Sequence, residues 1–226
     1  MTSRIVVLAA PSGAGKTTIA RAVLERAPAR FGYSVSATTR TPRPGEQDGV
    51  DYHFLSEVAF RERVEAGAFL EWAEYAGACY GTLQAEVARV LDSGRHVLLD
   101  IEVQGARQVR ARYPRPRSVS LFVIPPSPGV LLERLRRRRT ESPRQLGERL
   151  AIAVREVGAA SDDMSGALFD AVLINDDLEA AVRRVIEAAD TGTATRTPES
   201  SALLRHFARE LEADAERFTQ SARGSI

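Results

Sequence analysis

The chain is poor in several residue types, and each scarcity excludes a class of protein. Of its 226 residues only Cys79 is a cysteine, so neither an intramolecular disulfide nor a zinc site built from cysteines can form. No apolar run approaches the roughly 20 residues that a membrane-spanning helix needs. The run from Ile5 to Ala10 is too short for a signal peptide. We therefore expect a soluble cytoplasmic protein with no membrane partner.

Excess charge is also lacking, because 31 basic residues balance 30 acidic ones and give a formal net charge of +1. A general nucleic-acid binder needs a broad basic excess, so we expect no nucleic-acid partner. Lysine is almost absent, since Lys16 is the single lysine and every other basic residue is arginine. A position that uses lysine in such a chain is expected to need a compact ammonium rather than a planar guanidinium.

Short Val/Leu/Ile-rich runs alternate with helical patterns, which predicts an α/β fold with a central parallel sheet flanked by helices. The predicted strands are Arg4–Ala9, Tyr33–Ser36, His96–Ile101, Val119–Ile124 and Ala171–Asn175. The predicted helices are Lys16–Arg26, Val103–Arg112, Gly129–Arg138, Gln145–Ala160 and Leu178–Ala189.

The pattern changes between Ala37 and Gly94, where we predict an inserted lobe. Segments 50–55 and 69–75 are predicted as antiparallel strands with a helix over 56–66 between them. The expected domain at 1–190 thus has a core at about 1–36, 95–129 and 161–190, a lobe at about 37–94 and a second excursion at about 130–160. A linker at 191–202 and a helical extension at 203–226 follow.

A phosphate-binding loop follows the first predicted strand and opens the first predicted helix. It reads A-P-S-G-A-G-K-T, and the expected ATP-binding residues are Ala10, Pro11, Ser12, Gly13, Ala14, Gly15, Lys16, Thr17 and Thr18. Glycines let backbone N–H groups point at phosphate oxygens, and the helix adds its positive N-terminal end. Lys16 is expected to contact the β- and γ-phosphates and Thr17 to bind Mg²⁺. The pattern departs from its usual form at Ala10, where glycine is more common.

A second group of residues is suited to hold a nucleoside monophosphate. Arg40 and Arg43 lie three apart in a proline-interrupted loop, so both can converge on one phosphate, and Tyr52 and Tyr80 can add hydroxyl donors. Glu71 can accept two hydrogen bonds side by side, which matches the N1–H and N2–H₂ edge of guanine and nothing on adenine.

Ser36 and Thr82 can donate to guanine O6 or N7. Taken singly, Glu71 and Arg43 would be read as an ordinary solvated ion pair. As a set, these residues predict a GMP site.

Five motifs in order resemble the guanylate kinase family from about Arg4 to Glu187. Besides the phosphate loop they read S-A-T-T-R-T-P-R-P-G-E (36–46), D-Y-H-F (51–54), E-W-A-E-Y (71–75), Y-G-T (80–82) and D-I-E-V-Q-G-A (100–106). The resemblance implies a P-loop kinase with an inserted GMP-binding lobe and a helical lid. It also implies transfer of a phosphoryl group from ATP to GMP and dGMP, with Mg²⁺.

The resemblance implies further site residues. It assigns Ser36, Glu71 and Thr82 to the base and Arg40, Arg43, Tyr52 and Tyr80 to the phosphate, and adds Glu46 to the GMP site. It puts Asp100 and Glu102 near the phosphates, Mg²⁺ and Lys16, and Asn175 near the adenine. The lid arginines that reach ATP are Arg134, Arg138 and Arg149. The chain departs from the family's usual residues at Glu102 and Arg139.

Two other readings stay open at this point: a non-catalytic scaffold of the same fold, and a kinase for AMP, UMP or a non-nucleotide acceptor. Monomer and homo-oligomer are equally compatible with the sequence. Cys79 adjoins Tyr80, so we expect a bulky thiol adduct there to obstruct the acceptor site.

Overall fold

The computed structural model describes residues 2–75, 77–136, 143–163, 167–195 and 197–223. The strands among them are β1 (Ile5–Ala9), β2 (Phe31–Tyr33), β3 (Ser36–Thr38), β4 (His53–Phe54), β5 (Phe69–Tyr75), β6 (Ala78–Leu83), β7 (His96–Asp100), β8 (Ser118–Ile124) and β9 (Ala171–Ile174). The helices are α1 (Lys16–Arg26), α2 (Glu57–Glu65), α3 (Gln84–Asp92), α4 (Val103–Arg112), α5 (Pro128–Arg136), α6 (Pro143–Ser161), α7 (Leu178–Thr191) and α8 (Pro198–Arg223). Within these ranges no helix has the length and apolarity that crossing a membrane requires.

The main sheet has five parallel strands in the order β2-β7-β1-β8-β9. The central strand β1 is buried on both faces, and its alternate residues enter two different cores. Val6 and Leu8 pack with α1 and α7, whereas Ile5 and Val7 pack with α4, α5, α6 and α8. A strand covered on both sides favours apolar residues at every position, which explains the unbroken apolar run of β1. The predicted α/β class with a central parallel sheet is confirmed.

The strand ends bring the phosphate loop and Asp100 to one edge of this sheet. Strands β1 and β7 are parallel neighbours, so the loop after Ala9 and the end of β7 lie side by side. Helix α1 begins directly after Gly15, whose φ of 93° is in the left-handed region that favours glycine. A Cβ at this position would also lie 2.2 Å from the side-chain nitrogen of Asn175. Both facts require glycine there.

A second sheet, in the order β4-β3-β6-β5, forms the lobe. Strand β6 pairs antiparallel with both β3 and β5. The small core of the lobe contains Phe60 of α2 stacked on Phe69 at a centroid distance of 4.5 Å. Ser56 caps α2, because its hydroxyl accepts from the Ala59 N–H at 3.1 Å.

Two sequence-based predictions in this region are wrong. The predicted strand Tyr33–Ser36 is two strands, because the chain leaves the main sheet after Tyr33 and enters the lobe sheet at Ser36. The predicted antiparallel strand at 50–55 is reduced to His53–Phe54, which pairs parallel with β3. Helix α3 was not predicted, and its Val87 and Val90 belong to the main core.

The last helix, α8, packs on α6 through a buried apolar face. Leu204, Phe207 and Leu211 are buried at spacings of three and four residues, which align them on one side of a helix. Phe218 lies so close to α6 that a Cβ added at Gly147 would touch its ring at 3.4 Å. Helix α8 starts at Pro198, inside the segment predicted as linker, so the connection after α7 is shorter than expected.

Candidate active site

Lys16 lies at the first position of α1, where its ammonium faces three acceptors. Its Nζ is 2.7 Å from the Ile101 carbonyl oxygen, 3.0 Å from Asp100 Oδ1 and 3.6 Å from Glu102 Oε1. The side chain is 12% exposed. Burial alone would lower the pKa of Lys16, but the Asp100 and Glu102 carboxylates raise it above its usual value. The ammonium therefore remains a fixed positive charge at any physiological pH.

Thr17 and Asp100 supply a pair of oxygens beside this charge. The Thr17 hydroxyl donates to Asp100 Oδ2 at 2.7 Å. Both groups lie at the carboxyl edge of the sheet, directly after the phosphate loop and β7. Hydroxyl and carboxylate oxygens are hard donors of the type that Mg²⁺ binds together with substrate phosphates. These residues therefore fit the predicted metal.

Glu156 of α6 joins the cluster and was not found by the sequence analysis. Burial, followed by its hydrogen bond to the Glu102 carboxyl and the charge of that group, raises the pKa of Glu156 to about 10. For Glu102, burial is opposed by the positive charge of Lys16, and its pKa is lowered below the usual value. The pair thus holds one proton, on Glu156, and one negative charge, on Glu102 next to Lys16.

Side chains from three other elements reach the phosphate loop. Arg134 of α5 donates to the Ala14 carbonyl oxygen at 3.3 Å, and Asn175 after β9 donates to the same oxygen at 2.7 Å. Arg149 of α6 donates to the Ser12 hydroxyl. Glu156 is seven residues after Arg149, so both lie on one face of α6. This spacing was the sequence signal that could have revealed Glu156.

Around Arg40, the lobe gathers the residues predicted to bind an acceptor phosphate. The Arg40 guanidinium donates to both Glu46 oxygens, at 2.8 and 3.0 Å, and lies 5.4 Å from the ring centre of Tyr52. The Tyr52 and Tyr80 rings meet edge to face, 6.1 Å apart. Glu46 also accepts from the Arg43 backbone N–H at 2.7 Å. The hydrogen bond from Arg40, followed by that from Arg43, lowers the pKa of Glu46.

The three residues predicted to bind the base form one row across the lobe sheet. Ser36 is opposite Thr82 in the β3–β6 pair, and Thr82 is opposite Glu71 in the β5–β6 pair. Residues directly opposite one another share a face of the sheet. Tyr80 is two residues before Thr82 and so lies on this face, next in line toward the phosphate-binding residues. One face of the lobe sheet thus carries the residues predicted to bind the base together with Tyr80, which is predicted to bind the phosphate.

Glu71 is the buried acidic member of this row, at 5% exposure. Its Oε1 accepts a hydrogen bond from the Thr82 hydroxyl at 2.6 Å. Burial raises the pKa of Glu71, while the hydrogen bonds from Thr82 and the charge of Lys16 oppose that shift. A carboxylate kept out of water with acceptor capacity to spare is suited to bind a ligand with two adjacent donors.

The structure thus brings most of the predicted site residues into two neighbouring groups. The carboxylate of Asp100 links them, since after burial it is the main cause of the raised pKa of Tyr52 in the lobe. Arg138 lies outside the described residues. Cys79 packs with the Phe60 and Phe69 cluster of the lobe. It alternates with Tyr80 along β6 and so lies on the opposite face of the strand, which argues against direct contact between a thiol adduct and the predicted acceptor site. The expected obstruction stays a prediction.

These features define the class of the protein. A phosphate loop with Lys16 and Thr17 at the carboxyl edge of a parallel sheet, an inserted lobe and a helix α6 that contacts the loop are the parts of a P-loop kinase.

Comparison with known proteins identifies the family. Residues 2–191 match the family model described as guanylate kinase. The chain is 48% identical over 184 residues to the guanylate kinase of Rubrobacter xylanophilus, covering 81% of this chain and 92% of that one. It is 50% identical over 177 residues to the guanylate kinase of Nitratidesulfovibrio vulgaris, covering 78% and 81%. The crystal structure of guanylate kinase from Anaplasma phagocytophilum has a TM-score of 0.66 at 31% identity, covering 85% and 87%. The chain belongs to the guanylate kinase family.

Proposed function

We propose that this protein transfers the γ-phosphoryl group of ATP to GMP, and to dGMP, giving ADP and the nucleoside diphosphate in purine nucleotide metabolism. One observation carries the choice of base: the buried Glu71 carboxylate in a row with Thr82 and Ser36. Guanine presents N1–H and N2–H₂ along one edge to such a carboxylate, and it presents O6 and N7 to hydroxyl donors. Adenine presents an unprotonated N1 to the same carboxylate, which leaves the carboxylate unpaired.

The acceptor phosphate is bound by Arg40 and Arg43 with the hydroxyls of Tyr52 and Tyr80. The contact of Glu46 with Arg40 supports this assignment, because it fixes the direction of the guanidinium. A guanidinium that is already oriented loses less conformational freedom when a phosphate binds.

The ATP phosphates are bound by the loop of residues 10–17, with Thr18 following on α1. Arg134 and Arg149 neutralise charge on the transferring group, and their contacts with Ala14 and Ser12 support this role. Arg138 is proposed for the same task on the sequence alone. Asn175 is proposed to lie near the adenine.

Mg²⁺ is the proposed metal, with Thr17 as its protein ligand and the ATP phosphates and water as the others. When bound, it neutralises charge on the phosphates during transfer. Asp100 accepts from the Thr17 hydroxyl and holds Lys16, so it orients both groups that face the phosphates. Glu102 balances the second side of Lys16.

Catalysis by these residues consists of positioning and charge neutralisation. The phosphate oxygen of GMP is already an anionic nucleophile, so no strong general base is required. Lys16 keeps its proton throughout, because neighbouring carboxylates hold its pKa above the usual value. Movement of the lobe and α6 over the substrates would exclude water and protect ATP from hydrolysis. A cytoplasmic location fits these substrates.

The test is an acceptor panel of GMP, dGMP, AMP, UMP and CMP with ATP and Mg²⁺, followed by ADP release. GMP and dGMP should be phosphorylated, with kcat/KM at least about 10²-fold above the other three. Equal use of AMP or UMP would identify a different small-molecule kinase. Failure to phosphorylate any acceptor, with nucleotide binding retained, would identify a binding module.

A further inference from the structure

Gly105 of α4 lies directly against the carboxylate of Glu71. A Cβ built at this glycine would be 2.3 Å from Glu71 Oε2, 2.9 Å from its Cδ and 3.4 Å from its Cγ. Only the last is an ordinary van der Waals distance, so a methyl group and the carboxylate cannot both keep their places. Gly105 is the third residue of α4 and has no positive φ, so its backbone conformation does not require glycine.

Two side chains of α4 make three hydrogen bonds to the backbone of β5, and these bonds hold the two elements together. Gln108 accepts from the Trp72 N–H at 3.2 Å and donates to the Trp72 carbonyl oxygen at 2.7 Å. Arg112 donates to the Phe69 carbonyl oxygen at 2.8 Å. An added methyl group must therefore be accommodated by the Glu71 side chain, which would leave its hydrogen bond with Thr82.

We propose that Gly105 is a positioning residue for base selection. Because Gly105 has no side chain, the Glu71 carboxylate can occupy the space beside α4 and face the acceptor. This inference rests on the proposed recognition of guanine by Glu71. A carboxylate pushed by about an ångström no longer meets N1–H and N2–H₂ in line, and displacements of that size can cost about 10²-fold in rate.

The variant that tests the proposal is Gly105→Ala. It should lower kcat/KM for GMP by about 10²-fold and leave the KM for ATP within about twofold of wild type. The melting temperature should fall modestly, because the displaced carboxylate and its lost hydrogen bond with Thr82 cost more than the helix preference of alanine over glycine returns. The matched control is Gly158→Ala in α6, where nothing lies within 4 Å of the added Cβ. The control should keep wild-type kinetics with both substrates.

A double mutant shows whether the effect passes through Glu71. In the Glu71→Ala background no carboxylate remains to be displaced, so adding Gly105→Ala should change kcat/KM for GMP by no more than about twofold. An equal loss in both backgrounds would overturn the proposal, as would a single variant that keeps wild-type kcat/KM for GMP. If Gly105→Ala does not fold, a folded double mutant supports the clash and an unfolded one overturns it.

The wild-type enzyme assayed alongside separates this inference from the proposed function. Equal kcat/KM of the wild-type enzyme for AMP and GMP would contradict the assignment of guanine as the base. A guanine-selective wild type with an unaffected Gly105→Ala variant would end only the role of Gly105.

Discussion

Replacing Lys16 by arginine keeps the positive charge but changes its shape. In the structure a single ammonium lies 2.7 Å from the Ile101 carbonyl oxygen, 3.0 Å from Asp100 and 3.6 Å from Glu102, in a space that leaves the side chain 12% exposed. A guanidinium is wider and planar, so it can pair with Asp100 and Glu102 but cannot enter a loop built around one compact charge. We therefore expect Lys16→Arg to fold and to lose the placed charge on the transferring phosphoryl group.

The expected loss of kcat follows from the transition-state stabilisation that one positioned donor supplies in an active site. Removing such a group costs roughly 3 kcal/mol of transition-state stabilisation, and each 1.36 kcal/mol is tenfold, so kcat should fall by about 10²-fold or more. The measurement is kcat with saturating GMP and ATP, together with the melting temperature. The comparison variant Lys16→Met leaves the partly buried Asp100 and Glu102 carboxylates without their cation and should lower stability, by less than the roughly 3–5 kcal/mol that breaking a fully buried ion pair costs. A Lys16→Arg enzyme with half of the wild-type kcat would refute this account of Lys16.

Two further predictions concern α6 and α8. Because the folded state raises the pKa of Glu156 above its unfolded value, this group stabilises the fold fully below about pH 4.5 and progressively less as pH rises toward about 10. Glu156→Gln should therefore raise the melting temperature more at pH 9 than at pH 5, and an equal difference at both pH values would contradict the proton on Glu156. Leu211→Ala should lower the free energy of unfolding in urea by about 2–5 kcal/mol, against about 0.5 kcal/mol for the more exposed Leu203→Ala. Equal costs would mean that α8 is not docked on α6.

The parts of the fold that sequence patterns predict well are those buried on two sides. Strands β1, β7, β8 and β9 are centred on short apolar runs, and they occur within one or two residues of the predicted bounds. Helices α1 and α4 have the predicted bounds. The join between β2 and β3 has no such signal, because Ser34 and Val35 contain neither the glycine nor the proline that marks a turn. The change from the main sheet to the lobe sheet therefore depends on tertiary packing rather than on a local turn signal.

The residues of the candidate site also fall into those that sequence patterns predict and those that they do not. Residues proposed to contact a ligand carry chemistry that is readable in sequence, such as the ammonium of Lys16 or the carboxylate of Glu71. Gly105 and Glu156 lie against other site residues, Glu71 and Glu102, and these contacts join positions far apart in the chain. The position of Cys79 is readable in sequence, since alternation along β6 is sufficient to put it on the face opposite Tyr80.

Base selection by Glu71 is the central claim, and its most direct test compares three acceptors on two enzymes. Inosine monophosphate keeps N1–H and O6 but lacks the 2-amino group, while AMP reverses the pattern at both N1 and position 6. Glu71→Gln replaces one acceptor oxygen by an NH₂ donor that faces a donor.

The measurement is kcat/KM for GMP, inosine monophosphate and AMP on wild type and Glu71→Gln. Wild type should prefer GMP, then inosine monophosphate, then AMP. The variant should lose GMP turnover by a factor of up to about 10⁴ while keeping its KM for ATP. The claim would be contradicted if wild type had equal kcat/KM for AMP and GMP. It would also be contradicted if the Glu71→Gln variant still preferred GMP to inosine monophosphate.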